Sequence, residues 1–84
     1  MHKVKVFLFA TLRDYVGSKS VEIEIPHGST VSGLTELLIV TYPQLKKVKD
    51  SMMTAINREY AADDQIIPEN AEIAYFPPVS GGRD

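Results

Sequence analysis

The segment Lys3–Ala10 begins with strict alternation of polar and apolar side chains, and no other feature limits the fold of this chain as strongly. Successive side chains of a strand point to opposite faces, so this period of two predicts a strand that buries Val4, Val6 and Leu8. A chain that starts in this way must build a sheet and cover one face of it.

Residues 18–26 alternate in the same way and predict a second strand. Its inward-facing side chains are Val21, Ile23 and Ile25. The two strands are close enough in sequence to form an antiparallel pair. The intervening residues 11–16 leave room for a single helical turn that closes near Gly17.

One longer helix is predicted after the second strand. Either Ser29 or Thr30 can cap its first turn with a hydroxyl oxygen. The helix is expected to stop near Tyr42, because Pro43 lacks a backbone donor and disfavours helical geometry in the residue before it. The side chains predicted to face the sheet are Val31, Leu34, Leu37, Leu38 and Thr41. Residues 43–50 are then a connector or a short irregular helix.

Two further strands complete the pattern, at residues 52–59 and 72–76. Residues 63–70 between them are polar and rich in turn formers, with Ile66-Ile67 as a small apolar plug. The order of elements predicts an α+β fold in which one main helix packs on one face of a mixed sheet. It is compatible with a β-grasp domain, although the pattern alone also admits other small α+β topologies.

Length and charge exclude several classes of protein. A chain of 84 residues has room for one core, and a net charge of −2 is not that of a nucleic-acid binder. We expect no membrane association, because no apolar run approaches about 18 residues and the first residues lead into a strand rather than a signal peptide. The protein is therefore expected to be cytoplasmic.

Covalent chemistry through cysteine and metal binding are also not expected. The chain has no Cys, which excludes disulfides and thiolate ligands. Its two histidines, His2 and His27, have no His, Asp or Glu at ligand spacing, so we predict no metal site and no bound cofactor. No catalytic residue is expected inside the domain.

The carboxyl end reads Phe76-Pro77-Pro78-Val79-Ser80-Gly81-Gly82-Arg83-Asp84. Here the chain resembles the small subunit of molybdopterin synthase, a sulfur carrier of the ubiquitin-like β-grasp family. The resemblance covers nearly the whole chain, since residues 3–17 are similar to that family's opening strand and turn, and residues 55–57 to its middle strand. It implies a β-grasp domain over residues 1–80 and a flexible tail over residues 81–84.

The same resemblance implies a function for the tail. A partner enzyme that resembles the ubiquitin-activating (E1) enzymes would use ATP to adenylate the carboxylate of Gly82. The adenylate would become a thiocarboxylate that donates sulfur within molybdopterin synthase. Gly81 and Gly82 form a thin segment without side chains, which can enter another protein's active site. The chain would then be a protein cosubstrate rather than an enzyme by itself.

Arg83 and Asp84 depart from the family, in which the second glycine ends the mature chain. A carbonyl held in a peptide bond to Arg83 cannot be adenylated, so we expect this form to require removal of both residues. The alternative, that the extension is tolerated, stays open at this point. So do three other functions: a related carrier for thiamine or tRNA thiolation, a ubiquitin-like modifier, and an interaction domain that is never activated.

Strand parity predicts a surface for these partners. Phe9 and Phe76 fall on the face opposite the helix, where a one-layer sheet leaves them partly exposed. The resemblance implies contacts with the large synthase subunit and the activating enzyme at Phe9, Tyr60, Phe76, Pro77, Pro78 and Val79. The alternative is that these aromatic side chains pack under a loop of their own chain.

Overall fold

A computed structural model describes residues 1–77 of the chain, and within this part five strands form one mixed sheet. The strands are β1 (His2–Leu8), β2 (Ser20–Ile25), β3 (Met53–Ile56), β4 (Glu59–Tyr60) and β5 (Glu72–Phe76). Their order across the sheet is β2-β1-β5-β3-β4. The predicted tail at residues 81–84 lies outside the described residues.

The first and last strands lie side by side at the centre of the sheet. β1 and β5 are parallel, with Leu8 opposite Tyr75, whereas the other neighbouring pairs are antiparallel. The predicted antiparallel pairing of the first two strands is confirmed. Because parallel strands run in the same direction, the carboxyl ends of β1 and β5 meet at one edge, and this brings Phe9 beside Phe76.

Both helices begin or end at the residues whose local sequence predicted it. α1 (Thr11–Val16) ends at Gly17, whose φ of 85° is the left-handed conformation that glycine adopts without strain. α2 (Val31–Thr41) is capped by Thr30, whose Oγ1 accepts a hydrogen bond from the backbone N–H of Gly33 at 3.2 Å. The connector after Tyr42 is a 3₁₀ helix (Pro43–Ser51).

The core lies between α2 and one face of the sheet. The β1 side chains predicted to be inward are buried, as are three of the predicted α2 positions, Val31, Leu34 and Leu38. Tyr75 of β5 is also buried, and its hydroxyl lies 2.7 Å from Oγ1 of Thr35 on α2. Burial raises the pKa of Tyr75 to about 12. One hydrogen bond therefore ties the helix to the central strand inside an apolar core.

Two predicted members of the α2 inner face lie outside it. Leu37 is 41% exposed and Thr41 is exposed. The apolar side chains of α2 extend around more of the helix than the sheet covers, so periodicity overstated the buried stripe. The predicted apolar plug at Ile66-Ile67 is also only half correct, because Ile67 is buried while Ile66 is 61% exposed.

The predicted third strand over residues 52–59 is interrupted. β3 ends at Ile56, and the chain reverses at Asn57-Arg58 into the short strand β4. Both turn residues have positive φ, 49° and 73°. This is the requirement of a two-residue type I′ hairpin turn, which usually contains glycine. Without that glycine the sequence did not signal the turn.

Candidate functional site

The sheet face opposite α2 carries a groove whose floor and walls come from four neighbouring strands. In the strand register, Phe7, Ala74, Ala55 and Tyr60 stand in one row across the sheet. Two small alanines in the middle of the row leave a depression between the aromatic rings at its ends. The groove has a volume of about 420 Å³, and Phe9 and Phe76 also line it. We call this surface the docking face.

Three aromatic rings cluster on the docking face. The rings of Phe9 and Phe76 are stacked, with centroids 4.9 Å apart and planes 10° apart. Tyr60 meets Phe76 edge to face, with a centroid distance of 6.3 Å. Phe9 is 39% exposed and Tyr60 is 72% exposed. The predicted apolar patch of Phe9 and Phe76 is therefore confirmed. Phe76 is half-buried between the two other rings, while Phe9 and Tyr60 remain open to solvent.

The backbone after β1 holds Phe9 in this position. Its N–H donates a hydrogen bond to the carbonyl oxygen of Tyr75 at 3.2 Å. Ala10 then takes φ 53° and ψ −128°, a conformation that residues with a side chain rarely adopt. The sharp bend at Ala10 lets the chain turn back at once, so that Leu12 of α1 is fully buried. Phe9 stays on the open face although both Leu8 and Leu12 enter the core.

The other half of the open face carries charges of both signs. Lys3 is opposite Glu24, and Lys5 lies between Glu22 on one neighbouring strand and Glu72 on the other. Charges of opposite sign on adjacent strands attract one another, and two lysines face three glutamates, so this half is mixed in charge with one carboxylate in excess. The open face is thus divided into a largely apolar half near the carboxyl end of β5 and a half of mixed charge at the other end, with Glu72 at the boundary.

The structure brings together the predicted partner residues that it describes. Pro77 directly follows Phe76 and is half-buried beside the cluster. The remaining predicted site residues lie outside the described residues: Pro78, Val79, Gly81, Gly82 and the extension Arg83-Asp84. Sequence reasoning missed the groove floor at Ala55 and Ala74, which gave no signal because alanine occurs on either face of a sheet.

The two histidines lie closer together than their sequence positions indicated. Their rings stack at 5.0 Å between centroids, and Nδ1 of His27 lies 3.2 Å from a carboxylate oxygen of Glu69. Within the described part of the chain, however, no group of three or more His, Cys, Asp and Glu side chains is placed to hold a metal ion. Nor does any helix there have the length and apolar content needed to cross a membrane.

Comparison with known proteins places this geometry in context. Residues 6–82 match the ThiS family. A molybdopterin synthase sulfur carrier subunit of Arabidopsis thaliana is 35% identical over 80 residues, covering 95% of this chain and 83% of that protein. Its counterpart in Dictyostelium discoideum is 38% identical over 84 residues, covering 96% and 98%.

A solved structure extends the comparison to the fold. The crystal structure of SAMP1, a small archaeal modifier protein of Haloferax volcanii, superposes with a TM-score of 0.84 at 31% identity, covering 95% of this chain and 99% of that one. Over nearly the whole of both chains, the two proteins share one fold. The predicted single ubiquitin-like β-grasp domain is confirmed.

Proposed function

Because the chain belongs to the ThiS family, we propose that it is a sulfur carrier for molybdopterin biosynthesis and the small subunit of molybdopterin synthase. One observation carries the proposal: relatives named as sulfur carrier subunits of that synthase match at 35–38% identity over nearly all of this chain. The chain acts as a protein cosubstrate, and the large subunit supplies the site where sulfur is transferred. It is not an enzyme by itself.

The chemistry of the proposal resides in the carboxylate of Gly82. A carboxylate is a poor electrophile, because its negative charge repels nucleophiles. An activating enzyme of the E1-like class first joins the carboxylate oxygen to the α-phosphate of ATP, releasing pyrophosphate. A sulfur nucleophile then attacks the acyl carbon and displaces AMP. Sulfur stored in this way needs no cysteine in the carrier, in agreement with a chain that has none.

The docking face fits this role because of where it lies. Gly82 follows Phe76 by only six residues. A fully extended chain of that length spans at most about 20 Å. A partner that covers the aromatic cluster must therefore hold its active site within about that distance, so that docking delivers the tail. This supports the large subunit and the activating enzyme as successive occupants of one surface.

The proposal also includes the cellular location of the carrier and its need for a cofactor. ATP belongs to the activating enzyme, and the carrier itself holds no cofactor. We place the reaction in the cytoplasm, where ATP and the activating enzyme are available to a carrier that has no disulfides to form.

Intact-mass spectrometry tests the proposal. Three chains are compared: the full chain, a chain ending at Gly82, and a control chain ending at Gly81. Each is incubated with a molybdopterin-pathway activating enzyme, ATP and a sulfur donor. We expect one oxygen to be replaced by sulfur only on the chain ending at Gly82, because the full chain holds that carbonyl in a peptide bond to Arg83. No sulfur on any of the three would refute the proposal.

The result for the full chain shows whether Arg83 and Asp84 must be removed before sulfur is added. Sulfur on the full chain, equal to that on the chain ending at Gly82, would show that removal of Arg83 and Asp84 is not required. Sulfur on the control ending at Gly81 would show that the activating enzyme accepts any terminal glycine, and the assigned position would then be wrong.

A protein modifier is the second candidate, favoured by the likeness to the small archaeal modifier protein of Haloferax volcanii. In that case the activated acyl group of Gly82 would pass to a lysine amine and form an isopeptide bond. Adding a lysine-rich acceptor protein to the same incubations separates the two functions. Covalent conjugates would favour a modifier, whereas thiocarboxylate without conjugates favours the carrier.

A further inference from the structure

The turn between β3 and β4 contains an arginine where the backbone favours glycine. Asn57 is well suited to its position, because asparagine tolerates positive φ and here makes two hydrogen bonds to Glu72. Its N–H donates to the Glu72 carbonyl oxygen at 2.8 Å, and its Oδ1 accepts from the Glu72 N–H at 2.9 Å. Arg58, at φ 73°, makes the turn less favourable than glycine would. The backbone conformation at position 58 does not favour arginine, so any advantage of this residue comes from its side chain.

That side chain lies at the docking face. Arg58 is exposed and lines the groove together with Tyr60 and Phe76. Among the described residues that line the groove, Arg58 is the one with a cationic side chain. Lys5 is nearby but does not line the groove, and it lies between two glutamates. Among residues 1–77, neither ion pair includes Arg58.

Covering the groove creates a requirement for the partner. An apolar surface that excludes water from the aromatic cluster also removes water from the adjacent guanidinium. A charged group that loses its hydration without gaining a counter-charge is strongly unfavourable. Glu72 lines the same groove but forms no ion pair with Arg58 in the described structure. Since Glu72 lies opposite Lys5 in the strand register, Arg58 is open to an acceptor on the covering protein.

We infer that Arg58 is a charged anchor of the docking face, and that the large synthase subunit places a carboxylate against it when its apolar surface covers the groove. This inference rests on the proposed function and adds the chemistry of the partner surface. Apolar contact supplies the docking energy, while the charge pair selects partners that carry an acid beside the apolar patch.

Two substitutions separate the charge of Arg58 from its backbone conformation. Arg58→Gly removes the charge and relieves the turn, so its melting temperature should equal or exceed that of the parent chain. Arg58→Gln removes the charge but keeps the unfavourable φ. Both variants should bind the purified large subunit at least about 30-fold more weakly at low ionic strength, because the partner's carboxylate is then covered without its counter-charge. The control Lys46→Gln removes an equal charge from the exposed 3₁₀ helix and should bind like the parent chain.

Calorimetric titrations at several salt concentrations give the decisive comparison. We expect the affinity of the parent chain to fall with salt more steeply than that of either Arg58 variant. Unchanged affinity in both variants, or equal weakening by Lys46→Gln, would overturn the anchor role while leaving the proposed function intact. Failure of the parent chain to bind the large subunit at any salt concentration would instead refute the proposed function, and this inference with it.

Discussion

Replacing Tyr60 with alanine separates binding from folding at the docking face. Tyr60 is 72% exposed, so only about a quarter of its surface is covered in the free domain. A fully covered aromatic side chain buries about 150–250 Å², which makes the covered part about 50 Å². At about 25 cal/mol per Å², its loss should lower the free energy of unfolding by only about 1 kcal/mol.

The same substitution should have a larger effect on partner binding. The exposed three-quarters of Tyr60, about 150 Å², is available to a partner. Central aromatic residues of an interface typically cost about 2 kcal/mol or more when truncated, which corresponds to a roughly 30-fold loss of affinity. We therefore expect binding to the large subunit to weaken far more than the domain is destabilised.

Phe9 and Phe76 are a less selective probe than Tyr60. Their rings stack on each other, so replacing both with serine also removes an aromatic pair worth about 0.5–1.5 kcal/mol in the free domain. That double substitution should weaken binding and also lower stability measurably. Tyr60→Ala keeps that stack and removes only the edge-to-face contact of Tyr60 with Phe76.

A matched control and two measurements complete the test. Val40 is 79% exposed on α2, which packs against the other side of the sheet, so Val40→Ala removes exposed apolar surface away from the docking face. Urea denaturation followed by circular dichroism measures stability, and calorimetric titration with the large subunit measures affinity. Parent-like affinity of Tyr60→Ala, or equal weakening by Val40→Ala, would refute the assignment of the docking face.

Two further predictions concern the core. Leu34→Ala should cost about 2–5 kcal/mol in urea denaturation, as should Leu38→Ala, and the two together should bring a domain with a margin of about 5–15 kcal/mol close to unfolding. Leu37→Ala on the same helix should cost only about 1–2 kcal/mol because Leu37 is 41% exposed, and equal losses at Leu34 and Leu37 would contradict the helix orientation. Burial raises the pKa of Tyr75 from 10.0 to about 12, so the folded state holds this proton more tightly; the resulting stability is fully present below pH 10 and is lost as the pH rises toward about 12. Tyr75→Phe should remove that loss in denaturation curves recorded between these pH values, and an unchanged pH dependence would show that other groups cause it.

Local sequence determined much of this fold. The inward positions of β1 were predictable because a strand alternates with a period of two, which leaves only the choice of face. The limits of α2 were predictable because Thr30 and Pro43 act on the backbone beside them. The same alternation places Phe9 and Phe76 on the face opposite the helix, and this position predicted an exposed apolar patch.

Other features required the tertiary structure. Leu37 and Leu38 are identical in type and adjacent, yet only Leu38 is buried, because successive helix residues point about 100° apart and the packing of α2 decides which direction is covered. The turn at Asn57 lacks glycine and depends on hydrogen bonds to Glu72, fifteen positions away. No local pattern contains that information.

The docking face depends on both local sequence and tertiary packing. Alternation along each strand determined that Phe9 and Phe76 point to the open side, but not that they meet. They stack because β1 and β5 are parallel neighbours at the centre of the sheet. Tyr60 joins them because the hairpin turn returns β4 to the register that places it beside Ala55. Side-chain direction is a property of the local backbone, whereas strand order results from the packing of the whole core, and only that packing assembles the three rings into one surface.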